Sequence, residues 1–281
     1  HDVNDKEGIR SNSIYSLLVD DRGAVWVGHF QAGLDYSLYQ NGLFRTYAYP
    51  PLFNSANLSI RSFVNRGQEK VIGSRDGLFY INEATGVVKS FVKPVLTSDL
   101  ILTISFYQGE YYIGTYGGGM MVLNPGTLSL KYFAQGDTEL FQKGHIFCVK
   151  PDAKGNLWIG TSQGLFCYNG QTKQIKHFTS ANSQLPEGNV YEVSFDSTGK
   201  GWIATETGMC IYDPASQSLR SNVFPEGFVH RDKVRTIYED AGHNLYFIRE
   251  KGSLFTSTLT MDRFQNRSIF STLPDNSLMS V

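Results

Sequence analysis

The sequence predicts an all-β chain in which one four-stranded unit is used six times, and three observations predict it. The first is recurrence. The stretch Gly155-Asn156-Leu157-Trp158-Ile159-Gly160-Thr161-Ser162-Gln163-Gly164-Leu165 returns in phase as Trp26-Val27-Gly28, Val71-Ile72-Gly73-Ser74, Tyr112-Ile113-Gly114-Thr115, Trp202-Ile203-Ala204-Thr205 and Tyr246-Phe247-Ile248. From Trp26 through Val71, Tyr112, Trp158 and Trp202 to Tyr246 the steps are 45, 41, 46, 44 and 44 residues. The second is punctuation. A glycine precedes each aromatic or apolar anchor (Gly23, Gly67, Gly109, Gly155, Gly199, Gly242), and another follows it (Gly33, Gly77, Gly119, Gly164, Gly208, Gly252). The third is the number of strands each period holds, read most clearly in repeat four. Four short strands in about 40–45 residues make a propeller blade. The fold class is therefore an all-β β-propeller of four-stranded blades, with six repeats present plus the start of a seventh.

Repeat four alternates over His145 to Lys150, turns through Asp152-Ala153-Lys154-Gly155-Asn156, and runs apolar from Leu157 to Thr161. A loop at Ser162-Gln163-Gly164, a third strand from Leu165 to Tyr168, a turn at Asn169-Gly170-Gln171-Thr172 and a fourth strand from Gln174 to Phe178 complete it. The blades fall at about residues 12–48, 57–93, 98–134, 144–179, 188–222 and 232–270, with a further blade starting at 276–281. Twelve residues before the anchor stands an apolar residue in five of the repeats: Ile14, Leu100, Ile146, Val190, Val234. Repeat two has Ser59 there, beside Ile60, which predicts a shifted or bulged first strand. Residues 1–10 are polar and out of phase, a tail or a closing outer strand. No stretch carries apolar spacing of three and four over ten or more residues, so a helical solenoid is excluded.

With 281 residues of which 41% are hydrophobic, the chain can bury a large core. Its formal charge of −1 argues against a nucleic-acid partner, and no apolar run reaches membrane-spanning length. The chain opens on His1 and reads as a segment of a longer, processed protein. Cys148, Cys167 and Cys210 have no metal-type spacing and read as buried free thiols. The histidines fall at different phases and form no local ligand pair, so neither a metal nor a cofactor is expected. Gly117-Gly118-Gly119 lacks the Lys-Ser or Lys-Thr of a phosphate loop and matches the turn phase of the other repeats. Asp20, Asp21, Asp152, Asp196 and Asp240 recur before the anchor strand and read as turn formers. Trp26, Trp158 and Trp202 are the structural anchors, expected between neighbouring blades.

The pattern N-x-[IV]-x-x-[LIV] followed by D-x-x-G-x-[LV]-W-[IV]-G-T-x-x-G-L resembles the two-component regulator propeller repeat. Here it stands as Asn189-Val190 and then Asp196-Ser197-Thr198-Gly199-Lys200-Gly201-Trp202-Ile203-Ala204-Thr205-Glu206-Thr207-Gly208-Met209. The resemblance covers nearly all of residues 12–281. It implies the periplasmic part of a hybrid two-component sensor: paired propellers, a further β-domain, a membrane span, a histidine kinase, and a response regulator with a DNA-binding module. It also implies an oligosaccharide ligand, the neighbouring propeller as partner, a homodimer, and no enzymatic activity in this segment. Departures are Val71 and Tyr112 in place of Trp and Ala204 in place of Gly. The family builds seven blades. Six repeats therefore imply an open arc or a strained closure, and exposed strand edges in an arc favour association.

Two sets of loops are expected on one face of a propeller. Those between strands two and three hold His29, Phe30, Gln31, Arg75, Asp76, Tyr116, Gln163, Glu206, Arg249 and Glu250. Those leading from blade to blade hold Tyr49, Phe53, Asp99, His145, Glu187, Asn189, His230 and Arg231. Rings beside polar groups suit a sugar, by stacking on C–H faces and hydrogen bonding to hydroxyls. Asp76, Glu206 and Glu250 leave open a polysaccharide hydrolase or lyase, and a spacer propeller without its own ligand is the third reading.

Overall fold

The computed structural model describes residues 8–20, 22–38, 44–46, 58–133, 138–221, 233–249, 254–258 and 265–267. Six antiparallel sheets of four strands follow one another along the chain, each a meander in sequence order. Blade one is β1 (Ile14–Val19), β2 (Ala24–His29), β3 (Leu34–Leu38) and β4 (Phe44–Thr46). Blade two is β5 (Ile60–Arg66), β6 (Glu69–Ser74), β7 (Gly77–Asn82) and β8 (Val87–Phe91). Blade three is β9 (Ile101–Tyr107), β10 (Glu110–Thr115), β11 (Met120–Asn124) and β12 (Ser129–Tyr132), followed by the one-and-a-half-turn helix α1 (Thr138–Lys143). Blade four is β13 (Ile146–Pro151), β14 (Asn156–Thr161), β15 (Gly164–Asn169) and β16 (Ile175–Phe178). Blade five is β17 (Val190–Phe195), β18 (Gly201–Thr205), β19 (Gly208–Asp213) and β20 (Ser218–Arg220). Blade six is β21 (Val234–Glu239), β22 (Asn244–Arg249), β23 (Leu254–Thr258) and β24 (Gln265–Arg267). The fold is an all-β, six-bladed β-propeller.

The chain divides into an N-terminal unit, residues 1–133 with 141–144, and a C-terminal unit, residues 134–140 with 145–281. Within each, the second strand of a blade is its apolar centre. In β14, Leu157 through Thr161 are all buried, because a strand covered on both faces has no solvent side to alternate toward. The first strand of the next blade packs across it. Trp158 of blade four sits among Val190, Val193 and Tyr212 of blade five, and Trp202 of blade five meets Val234, Ile237 and Phe247 of blade six. In the N-terminal unit Trp26 packs on Ile60, Ile72 and Phe63 of blade two. The three indoles are 5%, 1% and 1% exposed.

Two turn designs join first strand to second. In blades one, four, five and six an aspartate closes the turn with its own side chain. Asp152 Oδ1 accepts from the Lys154 and Asn156 N–H groups, at 2.9 and 2.8 Å, and Oδ2 accepts the Trp158 indole N–H at 2.9 Å. Asp20 and Asp196 do the same for Trp26 and Trp202. Asp240 takes the hydroxyl of Tyr246 at 2.9 Å. Blades two and three instead use two-residue hairpins. Arg66 pairs directly with Glu69, and Tyr107 with Glu110. The turn residues Gln108 and Gly109 lie at φ 48° and 86°. These are the blades with Val71 and Tyr112 in place of tryptophan. Where the acceptor is missing, the indole is missing too.

A β-bulge interrupts the first strand of every blade, between Ile14 and Ser16, Ile60 and Ser62, Ile146 and Cys148, Val190 and Glu192, and Val234 and Thr236; in blade three Ile101 and Thr103 flank it. The bulge expected in repeat two alone is thus general. Ile60 and Ile101, not Ser59 and Leu100, hold the anchor position, because the two-residue hairpins shorten those blades by one residue. At the N terminus, residues 8–10 form no strand. Arg10 is tied to blade one through Asp35, its backbone N–H and Nε reaching the carboxylate at 3.0 and 2.9 Å. Residues 1–7 and 268–281, among them residues 276–281 expected to start a further blade, lie outside the described residues.

Candidate functional site

One hydrogen bond, repeated in five blades, builds the same kind of loop edge in each unit. The first residue after the second strand donates its N–H to the carbonyl just before the first strand. The pairs are Phe30 to Ser13, Arg75 to Ser59, Tyr116 to Leu100, Ser162 to His145 and Glu206 to Asn189, at 2.8 to 3.2 Å. Loops between strands two and three therefore lie beside the segments that lead into each blade. In the N-terminal unit this gathers Phe30, Gln31, Arg75, Asp76 and Tyr116. In the C-terminal unit it gathers His145, Gln163, Glu187 and Glu206. Gln31, Arg75, Asp76, Gln163 and Glu187 are exposed, and so is Tyr116, at 51%. Phe30, His145 and Glu206 are half-buried. Glu206 Oε2 accepts the Asn189 N–H at 3.3 Å, and Thr207 Oγ1 donates to the Glu187 carbonyl at 2.6 Å.

His29 departs from the expectation. It is fully buried, with Nε2 2.9 Å from Asp35 Oδ2. Register explains this. His29 occupies the slot held in other blades by Ser74, Thr115, Thr161 and Thr205, whose hydroxyls close the following turn onto the carbonyls of Gly77, Gly119, Gly164 and Gly208 at 2.8 to 3.1 Å. Burial pushes the Asp35 carboxyl up, but the hydrogen bonds from His29 and Arg10 outweigh it and hold its pKa below the ordinary value. Arg249 falls in the same slot, at the end of β22; its side chain lies outside the described residues, as do Glu250, His230 and Arg231.

The structure adds residues that the loop reading missed. Each bulge carries one residue outside the ladder: Tyr15, Arg61 and Leu102 in the N-terminal unit, and Phe147, Tyr191 and Arg235 in the C-terminal unit. A bulge re-aims its extra side chain. These side chains meet one another and the loop residues. The Tyr15 ring takes the edge of Phe30, with centroids 5.3 Å apart, and Arg61 lies over it at 4.7 Å. Tyr191 takes the edge of Phe147 at 5.2 Å, with Arg235 and Lys233 over it at 4.8 and 5.0 Å. His145 lies 6.2 Å from Phe147, and Asn189 Nδ2 donates to the Tyr191 hydroxyl at 3.1 Å. The sequence signal was available: the residue after each anchor Ile or Val of the first strand is the bulge residue.

Aromatic faces, amides, cations and a few carboxylates stand together, which suits a polar ligand with apolar faces. Burial raises the thiols of Cys148 and Cys210, and that of half-buried Cys167 to about 12, so none is an activated nucleophile. Among the described residues no three His, Cys, Asp or Glu side chains converge as metal ligands, and no helix is long and apolar enough to cross a membrane. Two cavities, of about 450 and 310 Å³, lie between blades four and five and share Lys176, Phe178 and Gln217. The larger is lined by His177, whose ring nitrogen lies 2.8 Å from the Gln163 carbonyl.

The chain carries two component regulator propeller repeats: residues 8–31 and 141–163 match that family's model. In fold it is similar to the extracellular domain of BT3049 from B. thetaiotaomicron, described as a hybrid two component system, at 22% identity and TM-score 0.68. The match covers 92% of this chain and 40% of that one. PorZ, a surface component of the type-IX secretion system of Porphyromonas gingivalis, matches at 12% identity and TM-score 0.74, over 98% of this chain and 44% of PorZ. The extracellular domain of BT4673 from B. thetaiotaomicron, also described as a hybrid two component system, matches at 14% identity and TM-score 0.54, over 89% of this chain and 44% of that one. No curated protein sequence matches the chain. It thus spans under half the length of these structural relatives.

Proposed function

We propose that this propeller is a ligand-sensing module in the periplasmic part of a hybrid two-component sensor, and that it binds an oligosaccharide on the face built by the strand-two loops and the bulge residues. The observation that supports this most is the repeated placement of aromatic rings beside polar groups, Tyr15 with Phe30 in one unit and Tyr191 with Phe147 and Asn189 in the other. A pyranose offers C–H faces to such rings and hydroxyls to such amides. The regulator-propeller repeats supply the context: a neighbouring propeller, a homodimeric receptor and a histidine kinase beyond the membrane. Signalling requires the ligand to bind two receptor arrangements unequally, since only differential affinity shifts an equilibrium.

The test is a glycan-panel binding screen on the chain and on Tyr191→Ala and Tyr15→Ala. We expect one oligosaccharide class to bind without being cleaved, and each variant to bind it at least about tenfold more weakly with an unchanged melting temperature. Binding untouched by both substitutions would move the site elsewhere. Release of reducing ends, lost in Asp76→Asn or Glu206→Gln, would make the protein an enzyme.

A further inference from the structure

The two aromatic clusters are alike in more than composition. Each has a tyrosine at a bulge, an arginine at the bulge of the following blade, and a phenylalanine edge-to-face with the tyrosine. In the N-terminal unit Arg61 lies 4.7 Å from the Tyr15 centroid, and Phe30 meets that ring at 5.3 Å and 62°. In the C-terminal unit Arg235 lies 4.8 Å from the Tyr191 centroid, and Phe147 meets it at 5.2 Å and 63°. Stacked cations are common in proteins, so one such pair would carry little weight. The same tyrosine–arginine pair at successive bulges in both units is a different matter; the phenylalanine comes from the strand-two loop in one (Phe30) and from the preceding bulge in the other (Phe147).

We propose that these stacked pairs, Tyr15 with Arg61 and Tyr191 with Arg235, are subsites for the anionic groups, carboxylate or sulfate, of an acidic oligosaccharide. This rests on the saccharide reading above and names the class of sugar. A guanidinium lying on a ring uses its π face there and keeps its in-plane N–H fork for an acceptor. That fork matches the two oxygens of a carboxylate or sulfate, and the adjacent ring is a platform for the sugar that bears them. Arg61 is short of acceptors: its Nε is buried without a hydrogen-bond partner, and among the described residues no carboxylate pairs with it. A buried donor left unmade is costly, and a bound anion would relieve that cost. At the second pair Lys233 Nζ approaches the same Tyr191 ring, at 5.0 Å. The chain as a whole has a formal charge of −1, so this placement is not a by-product of a basic composition.

The experiment is calorimetric binding to acidic oligosaccharides, each paired with its neutralised counterpart: uronic-acid oligomers with their methyl esters, sulfated oligomers with their desulfated forms. We expect an acidic member to bind, to lose at least about tenfold in affinity on neutralisation, and to weaken as salt rises. The uronate and sulfate arms tell which anion is read. Arg61→Gln and Arg235→Gln should each cost about tenfold for the acidic member and leave the melting temperature unchanged. If either fails to fold, Arg→Lys at that position carries the test, since it keeps the charge but not the fork. Equal affinity for acidic and neutral forms, or binding indifferent to both arginines, overturns the inference and leaves the saccharide reading standing. No binding by any saccharide, with inorganic sulfate leaving the melting temperature unchanged as well, overturns both. Inorganic sulfate that stabilises the chain, but not Arg61→Gln, while no saccharide binds would keep the anion subsite and sink the saccharide reading.

Discussion

An indole N–H buried between two blades needs an acceptor, and for Trp158 Asp152 supplies it while closing the turn six residues earlier. Asp152→Ala should destabilise the protein by about 1–3 kcal/mol in urea titrations, because a buried donor is left unmade and a turn loses its bonds. In a Trp158→Phe background the cost should fall; an equal cost there would show that only the turn matters. Asp240 makes the same turn. Hydrogen bonds from the Asn244 side chain and backbone, joined by those from Tyr246 and Gly242, outweigh desolvation and hold its pKa near about 2, against the usual 3.8. A depressed carboxylate stabilises the fold fully above its unfolded pKa and ceases to as pH falls through the folded one. Its contribution should therefore fade between about pH 4 and pH 2, and an NMR titration midpoint for Asp240 near 4 would refute it. At this scale the sequence told half the story. The repeated aspartates read as turn formers, but one residue type cannot reveal that its second oxygen serves a side chain six residues on. His29 was legible in principle, since it stands where Thr161 and Thr205 stand.

At the scale of strands, spacing exposed the blades because a strand buried on both faces must be apolar throughout. It hid the bulges, because an extra residue in a strand changes register without changing composition. Hence the arginines and tyrosines at the bulges, Arg61 and Tyr191 among them, read as ordinary strand residues. The glycine after the anchor pair has a packing cause. A Cβ on Gly160 would stand 2.6 Å from Cys148 Sγ and 2.7 Å from the Val190 carbonyl oxygen. On Gly73 it would meet Ile101 Cγ2 at 2.5 Å. The first strand of the next blade thus rests directly on the glycine. Gly160→Val should cost about 1–3 kcal/mol or more by overpacking, measured by chemical denaturation. A neutral substitution would mean that blade five can slide away from blade four without loss.

At the scale of the molecule, stability in a repeat fold is carried by blades and by the seams between neighbours. Each unit here has cores of its own: one cluster runs from Val71 to Leu123 through blades two and three, another from Cys148 to Leu219 through blades four and five. The seam between blades four and five is held by the tilted contact of Trp158 with Tyr212, centroids 4.5 Å apart, by the ion pair of Lys150 with Glu192 at 3.2 Å, and by the close approach of Val190 to Gly160. Truncating Trp158 removes the largest of these contacts. Trp158→Ala should cost about 3–5 kcal/mol, the range for large aromatic truncations in a core. The loss should be local before it is global. In native-state hydrogen exchange, amides of β13–β20 should lose protection first and by the largest factor, while β5–β12, packed around Tyr111 and Ile113, should keep theirs until global unfolding. Uniform loss of protection across both sets would show instead that the chain opens only as a whole, and that the seam energies are shared around it.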